Sequence, residues 1–210
     1  MKLQYIAIEG VIGAGKTSLA LKLVEHFGWR SLLELHDENP FLADFYKKPN
    51  RFAFQTQLFF LLSRYRQQQE IPQTDLFQSV LVSDYIFPKD RIFAAMTLED
   101  REYALYEKVA NVLERDIAVP DLVIYLQSNT DRLMANIKKR GREYEKPITD
   151  EYIRALNESY NSFFFNYKTT PLLVVNTNEI DYVHNENDFL DLVEQFSRPI
   201  SGVQYYSPQK

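Results

Sequence analysis

The feature that most constrains this chain is a glycine-rich segment between an apolar stretch and a helical pattern. Residues 10–17 read Gly-Val-Ile-Gly-Ala-Gly-Lys-Thr, which matches the phosphate-binding pattern G-x-x-x-x-G-K-S/T. Glycines let the backbone bring its N–H groups close to phosphate oxygens, and the start of the following helix presents unpaired amides. In this pattern the lysine neutralises the β and γ phosphates, and the hydroxyl, here that of Thr17, holds Mg²⁺. The residues expected to bind nucleotide phosphates are Gly10, Val11, Ile12, Gly13, Ala14, Gly15, Lys16, Thr17 and Ser18.

Apolar stretches alternate with helical patterns along the rest of the chain. Five short apolar runs predict buried strands, at residues 3–9, 31–35, 79–83, 121–126 and 172–175. Helical spacing of apolar residues appears at 17–27 and 51–70. Because parallel strands need crossover connections, this order predicts an α/β fold with a mainly parallel five-stranded sheet flanked by helices. Ligands bind such sheets at the carboxyl ends of the strands, and this rule selects the candidate residues below.

Composition indicates an ordinary globular protein. With 210 residues, 45% of them hydrophobic and 25% charged, the chain is expected to form one domain over 1–210. The net charge of −5 argues against a general nucleic-acid binder, and no apolar run approaches the ~20 residues of a membrane span. No secretion signal precedes the first strand, so we expect a cytoplasmic protein without nucleic-acid or membrane partners. The absence of Cys says nothing about the compartment, and three His make a multi-histidine metal site a poor expectation.

A phosphate loop alone does not distinguish kinases from switch GTPases or ATP-driven machines. A guanine-selective switch should carry Asn-Lys-x-Asp after a later strand. This chain instead has Asn-Thr-Asn-Glu at 176–179, which we interpret as a loop. The remaining motifs must therefore decide the function.

Several short motifs follow the phosphate loop in a fixed order. They are Glu34-Leu-His-Asp-Glu-Asn-Pro-Phe-Leu-Ala-Asp-Phe-Tyr46, Arg51-Phe-Ala-Phe-Gln-Thr-Gln57 with Ser63-Arg64, Ser83-Asp84-Tyr85, and Arg140-Gly-Arg142-Glu-Tyr-Glu145. With the phosphate loop, this order and spacing resembles the deoxynucleoside kinase family over nearly the whole chain. The resemblance implies a P-loop kinase with an arginine-bearing lid that uses Mg·ATP to phosphorylate the 5′-hydroxyl of a deoxynucleoside.

Two carboxylates at predicted strand ends are the leading candidates for chemistry. Glu34 ends the second strand, beside the phosphate loop, and the resemblance makes it the general base; the alternative is a solvated charge. Asp84 ends the third strand, which would allow a role at Mg²⁺, but the resemblance places it at the nucleobase with Arg64 and Gln57. The amide of Gln57 can both donate and accept toward a base edge, or it can bond to the backbone at the edge of the core.

The sugar and the base also need contacts. The resemblance implies that Tyr46 and Glu145 bond the 3′-hydroxyl, although Tyr46 could equally be a packing residue. Phe87 is our candidate for stacking on the base. With 15 Phe in the chain, the alternative that it belongs to the core is nearly as strong.

A basic segment at about 138–147 is the candidate lid. Arg140 and Arg142 flank Gly141 and could brace the transferring phosphoryl group in bidentate fashion while the segment excludes water. The alternative is a solvated helix end whose cations offset the helix dipole.

The chain departs from the family pattern at one point. Many members have Arg directly after the aspartate of the third strand, or Glu-Arg-Ser shortly before it, whereas here Tyr85 follows Asp84 and Gln78-Ser79 stands nearby. The cation that assists the 5′-oxygen, beyond Lys16 and the lid arginines, is therefore an open question.

We predict an ATP-dependent kinase of a purine deoxynucleoside, deoxyguanosine or deoxyadenosine, that acts in nucleotide salvage as a homodimer. Three alternatives remain: a deoxycytidine or broad-specificity deoxynucleoside kinase, a monophosphate kinase resembling thymidylate kinase, and a non-catalytic nucleotide switch. A monophosphate kinase would need extra cations for the acceptor phosphate, and the pairing of Glu34 with Tyr46 suits a neutral acceptor better.

Overall fold

The computed structural model describes residues 3–71 and 79–208. Its strands form one sheet in the order β2-β3-β1-β4-β5-β6, and every pair of neighbours is parallel. The strands are β1 (Tyr5–Gly10), β2 (Arg30–Leu32), β3 (Leu81–Ser83), β4 (Leu122–Gln127), β5 (Leu172–Asn176) and β6 (Val203–Tyr206).

Helices connect these strands, as parallel pairing requires. They are α1 (Lys16–Phe27), α2 (Leu42–Lys47), α3 (Pro49–Glu70), α4 (Asp90–Thr97), α5 (Asp100–Leu113), α6 (Thr130–Arg140), α7 (Asp150–Phe165) and α8 (Glu186–Ser197). None of the helices in the described residues combines the length and the apolar character that a membrane span requires.

The sheet centre explains the apolar runs of the sequence. All residues of β1 are buried, as are all but the last residue of β4, so neither strand alternates between apolar and polar positions. The largest core cluster joins these strands to apolar residues of the helices. Its helical members include Leu19, Leu23, Leu133, Ile137, Ile153, Leu156, Phe189 and Leu192.

The predicted helix after the phosphate loop is confirmed, with its stop. Helix α1 ends at Phe27 and is capped by Gly28, which has φ 67° and donates its N–H to the carbonyl of Val24. This left-handed C-terminal cap suits glycine, which lacks the Cβ that makes positive φ costly. The predicted second strand is shorter than expected, since β2 stops at Leu32.

The sheet has six strands and not the five that the sequence predicted. The additional strand, β6, pairs with β5 at the sheet edge through register Leu172 to Val203. Its residues are largely exposed, with Tyr205 at 71%, so no apolar pattern marks it in the sequence.

Sheet order places the candidate residues together. Strand β1 lies between β3 and β4, and β2 lies on the other side of β3. Since the strands are parallel, the residues that follow β1, β2 and β3 emerge at the same edge of the sheet. The phosphate loop, Glu34 and Asp84 therefore meet there.

Candidate active site

The phosphate loop turns tightly between β1 and α1. Gly13 and Gly15 have φ of 86° and 89°, and a Cβ on Gly13 would lie 2.6 Å from the carbonyl oxygen of Leu133. Only glycine fits this combination of positive φ and close approach. The Lys16 ammonium lies within the loop and donates to the carbonyls of Gly10 and Val11 at 2.8 and 3.2 Å.

Lys16 is partly buried and has a perturbed pKa. Burial is the main cause and Lys89 the second, and together they lower the pKa of Lys16 from 10.5 to about 8, although Glu9 and Glu34 oppose this. A lysine in this setting gains much from an added anion. The loop therefore favours the binding of negatively charged phosphate groups.

Glu34 lies two residues beyond β2 and is held by two cations. Its Oε2 accepts from the Lys89 ammonium at 2.9 Å, and its Oε1 pairs with the Arg64 guanidinium. Burial alone would raise the pKa of Glu34, but Arg64 and Lys89 outweigh that effect and hold the pKa well below its usual value. The carboxylate is thus ionised at neutral pH and fixed in orientation.

Arg64 links Glu34 to a second carboxylate. Its guanidinium also pairs with Asp90, the first residue of α4. The Arg64 side chain is only 3% exposed and that of Asp90 only 2%, so this pair is desolvated. The guanidinium carbon of Arg64 also lies 5.0 Å from the centre of the Phe60 ring.

Asp84 does not take the place that the resemblance implied, beside Arg64. Its Oδ2 accepts from the Thr17 hydroxyl at 2.5 Å and its Oδ1 from the backbone N–H of Glu34 at 2.8 Å. The reason is topological: β3 neighbours β1, so the residue directly after β3 meets the start of α1. The aspartate that pairs with Arg64 is Asp90, which follows the next turn of the chain.

A cavity, here called the inner cavity, opens between these residues. Gln57 is in its wall, where its amide N–H donates to the Thr97 hydroxyl at 3.3 Å. The wall is formed by Ile12, Gly13, Lys16, Thr17, Glu34, His36, Leu42, Phe45, Tyr46, Thr56, Gln57, Phe60, Arg64, Asp84, Lys89, Asp90, Phe93, Arg140, Arg142, Tyr144, Glu145, Tyr152 and Tyr160.

The inner cavity presents polar atoms that have no protein partner. Among the described residues, the Thr56 hydroxyl, the Asp90 Oδ2 and the Tyr152 hydroxyl are buried and form no hydrogen bond. Buried polar groups are normally hydrogen-bonded, and an exception calls for an explanation. A polar ligand in this cavity supplies one.

Phe87, the candidate for stacking on the base, is not among the residues that form the wall of the inner cavity. It begins the 3-10 helix Phe87–Lys89 and packs with Leu61 and Tyr106 in a separate core cluster. The short helix sends Phe87 toward that cluster while Lys89 reaches Glu34. The rings of Phe60 and Phe93 line the cavity instead.

Residues of the segment 138–147 form one side of the inner cavity. Helix α6 ends at Arg140 and is capped by Gly141, with φ 68°, and the 3-10 helix Glu143–Glu145 follows. Arg140 donates to both carboxylate oxygens of Glu145, at 3.2 and 2.5 Å, and Arg142 lies 3.6 Å from the same carboxylate. The ring of Tyr46 also lines the cavity, and Tyr144 lies parallel to it.

A second cavity, here called the loop cavity, lies on the other side of the phosphate loop. Arg132 bridges its wall by donating to the carbonyls of Asn178 and Ile180, and the Tyr182 hydroxyl donates to the carbonyl of Ala14 at 2.8 Å. The lining residues are Gly13, Ala14, Gly15, Ser18, Arg132, Asn136, Lys139, Arg140, Thr177, Ile180, Asp181, Tyr182, Val183 and His184. Gly13 and Arg140 border both cavities.

Sequence reasoning missed several of these residues. Lys89, Asp90 and Tyr182 carried no motif. Residues 176–179 were interpreted only as a loop, and no role was predicted for residues 180–184. The pair Lys89-Asp90, placed directly before an apolar helical pattern, was the one available signal for a charged helix start. Gln78 lies outside the described residues.

The arrangement defines a class of protein. A phosphate loop at the carboxyl ends of a parallel sheet, with a cavity on either side and an ionised carboxylate in one of them, is the architecture of a P-loop phosphotransferase. One cavity can hold a nucleotide donor and the other an acceptor.

Comparisons with known proteins identify the family. The family model described as Deoxynucleoside kinase matches residues 6–201. The deoxyguanosine kinase of Bacillus subtilis (strain 168) is 34% identical over 190 residues, which cover 88% of this chain and 92% of that protein. The deoxyadenosine kinase of Dictyostelium discoideum is 35% identical over 182 residues, or 83% of this chain and 73% of that protein.

Solved structures agree with this assignment. The structure of deoxyadenosine kinase from M. mycoides with bound dATP superposes with a TM-score of 0.80 at 26% identity, covering 92% of this chain and all of that one. The chain belongs to the deoxynucleoside kinase family, and it is an enzyme that phosphorylates deoxynucleosides. The resemblance of its motifs and the predicted parallel sheet with flanking helices are thereby confirmed.

Proposed function

We propose that this kinase transfers the γ-phosphoryl group of ATP to the 5′-hydroxyl of a purine deoxynucleoside. The observation that carries the proposal is the Glu34 carboxylate, held by Arg64 and Lys89 in the wall of the inner cavity. That cavity meets the loop cavity at Gly13 and Arg140. With the deoxynucleoside in the inner cavity and ATP in the loop cavity, the reacting atoms would lie close together. Positioning of this kind is the main task in phosphoryl transfer.

The donor phosphates would lie in the loop at residues 10–18. The unpaired amides at the start of α1 would bind phosphate oxygens, and the Lys16 ammonium would exchange its carbonyl partners for them. The base of ATP would occupy the loop cavity, whose wall Arg132 fixes through two backbone carbonyls. Ser18, which also lines that cavity, would lie beside the phosphates.

The deoxynucleoside would fill the inner cavity. Its base would lie near Gln57 and the pair of Arg64 with Asp90, which are residues of the cavity wall, and one carboxylate oxygen of Asp90 there has no partner. Its sugar would lie toward Tyr46 and Glu145, with the 3′-hydroxyl between them. Burial raises the pKa of Tyr46 well above its usual value, so its phenol stays protonated and can donate.

The residues around Thr17 fit a magnesium ion. The Thr17 hydroxyl and the Asp84 carboxylate are hard oxygen ligands, and they lie in contact beside the phosphate loop. Mg²⁺ in kinases is held by one or two such protein groups together with substrate phosphates. When bound, it would neutralise charge on the donor phosphates.

The acceptor hydroxyl would give its proton to Glu34 as its oxygen attacks the γ-phosphorus in line. Arg140 and Arg142 would exchange Glu145 for the oxygens of the transferred group, where planar guanidinium groups can bind in bidentate fashion. The segment 138–147 would close as a lid during this exchange and exclude water.

The purine preference rests on the relatives. Those of Bacillus subtilis and Dictyostelium discoideum, at 34% and 35% identity, are named for deoxyguanosine and deoxyadenosine. The amide of Gln57 can serve either base by rotation, so its geometry supports both purines. A further relative in Bacillus subtilis is named deoxyadenosine/deoxycytidine kinase, at 28% identity, and this makes deoxycytidine the second candidate.

The experiment is a comparison of kcat/KM for the four deoxynucleosides and their ribonucleoside counterparts with Mg·ATP, since this ratio measures discrimination directly. We expect deoxyguanosine or deoxyadenosine to lead and ribonucleosides to be poorer. A lead for deoxycytidine would contradict the purine preference. A response to nucleoside monophosphates alone would overturn the proposal.

We also propose that the chain is a homodimer, as members of the family commonly are. Several apolar side chains on its helices remain exposed, including Phe165 at the end of α7 and Leu105 and Val112 on α5. Light scattering on the purified protein at micromolar concentration tests this, and a monomer mass would contradict it.

A further inference from the structure

Lys89 is a buried cation that the proposed reaction uses only as one of the two partners of Glu34. Its side chain is 3% exposed and lies in the wall of the inner cavity, where its ammonium donates to Glu34 at 2.9 Å. A buried charge is costly unless it is paired. A lysine kept at this point therefore has a specific partner, and that partner is the carboxylate expected to take the proton.

The backbone that carries Lys89 is tied to the phosphate loop. Lys89 ends the 3-10 helix Phe87–Lys89, and the N–H of the preceding Ile86 donates to Glu9 Oε1 at 2.9 Å. The other oxygen of Glu9 accepts from the N–H of Gly10 at 3.0 Å. One fully buried carboxylate thus connects the turn before Lys89 to the first residue of the loop.

The two cations bind Glu34 from different elements. Arg64 on α3 binds one carboxylate oxygen, and Lys89 binds the other. An ionised carboxylate offers about four lone-pair sites, so each oxygen keeps one free to accept a hydroxyl proton. With Lys89 removed, one oxygen would lose its partner and the carboxylate could turn about its bond to Arg64.

We propose that Lys89 is a positioning residue for the phosphoryl transfer. It holds the Glu34 carboxylate in the orientation from which it accepts the proton of the acceptor hydroxyl. In that step the hydroxyl proton moves to Glu34, the bond from the hydroxyl oxygen to the γ-phosphorus forms, and the bond to the β–γ bridging oxygen breaks. Lys89 neither gains nor loses a proton, so its effect passes entirely through Glu34.

This inference rests on the proposed function and supplies the cation left open by the departure at Tyr85. In the sequence, Lys89 is five residues after Asp84, in a segment with no family motif. Its contact with Glu34 depends on the turn through Phe87 and Pro88. A lysine that binds the catalytic carboxylate of Glu34 from this turn would take the place of the arginine that many family members carry directly after the third strand.

The test is a double-mutant cycle that compares the unmutated enzyme, Lys89→Met, Glu34→Gln and the variant with both changes. Misplacement of a catalytic group by about 1 Å can cost ~10²-fold, so Lys89→Met should lower kcat by about that factor. KM for ATP and for the deoxynucleoside should change by less than about threefold, since Lys89 does not act through ground-state binding. In the Glu34→Gln background, Lys89→Met should change kcat by less than about twofold.

Two further variants complete the test. Arg91→Met removes a cation from the same segment, but Arg91 pairs with Glu107 and Glu114 away from the cavity, so kcat should be unchanged. Lys89→Arg keeps the positive charge, so its kcat should be at least tenfold higher than that of Lys89→Met, which is expected to lose ~10²-fold. If Lys89→Met does not fold, as judged by circular dichroism, Lys89→Gln takes its place in the cycle.

The outcomes separate clearly. A loss of kcat that disappears in the Glu34→Gln background supports the inference. An unchanged kcat, or an equal loss in both backgrounds, overturns it while leaving the proposed function intact. If the unmutated enzyme phosphorylates no deoxynucleoside 5′-hydroxyl, the proposed function fails, and the inference fails with it.

Discussion

Replacement of Arg64 by methionine tests the charge network that organises the inner cavity. Arg64 is 3% exposed and pairs with two carboxylates, those of Glu34 and Asp90, which are 16% and 2% exposed. In Arg64→Met, Glu34 would keep Lys89 as a partner. Asp90 would lose its guanidinium partner and remain buried.

The expected cost follows from this geometry. Breaking a buried ion pair by removing one partner costs about 3–5 kcal/mol, because the remaining charge is left without compensation. Typical domains have a free energy of unfolding of about 5–15 kcal/mol, so the change should be large but measurable. The additional change Asp90→Asn removes the stranded charge, and the double variant should therefore be more stable than Arg64→Met.

Urea unfolding provides the assay. The chain has a single Trp, Trp29, whose ring stacks on Phe27 at 4.2 Å, so its fluorescence should report loss of structure beside β2. Arg66→Met is the matched control, since Arg66 is on the same helix but exposed, and its change should be within about 0.5 kcal/mol. The reasoning is refuted if Arg64→Met loses less than about 1 kcal/mol or no more than the control.

Three further predictions concern the phosphate loop. Because the pKa of Lys16 is lowered to about 8 and bound phosphates should raise it, ATP binding should take up a proton above that pH. Above about pH 8, calorimetry should show the Kd for ATP rising by up to tenfold per pH unit, because binding takes up about one proton. A Kd that does not change with pH would contradict this. Gly15→Ala places a Cβ against the Tyr182 hydroxyl at a residue with φ 89°, so kcat/KM for ATP should fall by ~10²-fold or more. An unchanged kcat/KM would show that the loop accepts a side chain at this position. Asp84→Asn should raise the Mg²⁺ concentration needed for half-maximal rate by about tenfold, measured by titration at fixed ATP; an unchanged midpoint would exclude Asp84 from the metal site.

Local patterns in the sequence were sufficient for the phosphate loop and the central strands. The loop motif fixes its own backbone, since Gly13 and Gly15 occupy positions that only glycine tolerates. Strands β1 and β4 are buried on both faces, and burial of this kind produces continuous apolar runs. Glu34 was selected because it follows a predicted strand, at the edge of the sheet where ligands bind in such folds, and the family resemblance supplied its role.

Features that depend on tertiary packing could not be predicted in the same way. A buried cation such as Lys89 looks like a surface charge in the sequence, and only the fold shows that it faces Glu34. Asp84 and Asp90 are six residues apart, and the turn between them decides which one reaches Arg64. The edge strand β6 has exposed side chains on both faces, so no periodic pattern identifies it.

For Asp84 and Phe87, the structure shows contacts other than those expected from the sequence. Phe87 was our candidate for stacking on the base, with a place in the core as the alternative, and the 3-10 helix turns its ring into the core beside Tyr106. Phe60 and Phe93 come from two different helices and face the inner cavity together. A contact between elements distant in the sequence leaves no local signal in a single chain.

The central claim is that Glu34 takes the proton of the acceptor hydroxyl. Its most direct test is the single-turnover rate of phosphoryl transfer, measured by rapid quench, for the unmutated enzyme and for Glu34→Gln with deoxyguanosine or deoxyadenosine and Mg·ATP. Loss of a general base costs about 10²–10⁴-fold, so the account predicts a rate at least ~10²-fold lower, with binding of both substrates retained. Equal transfer rates in the two enzymes would contradict it.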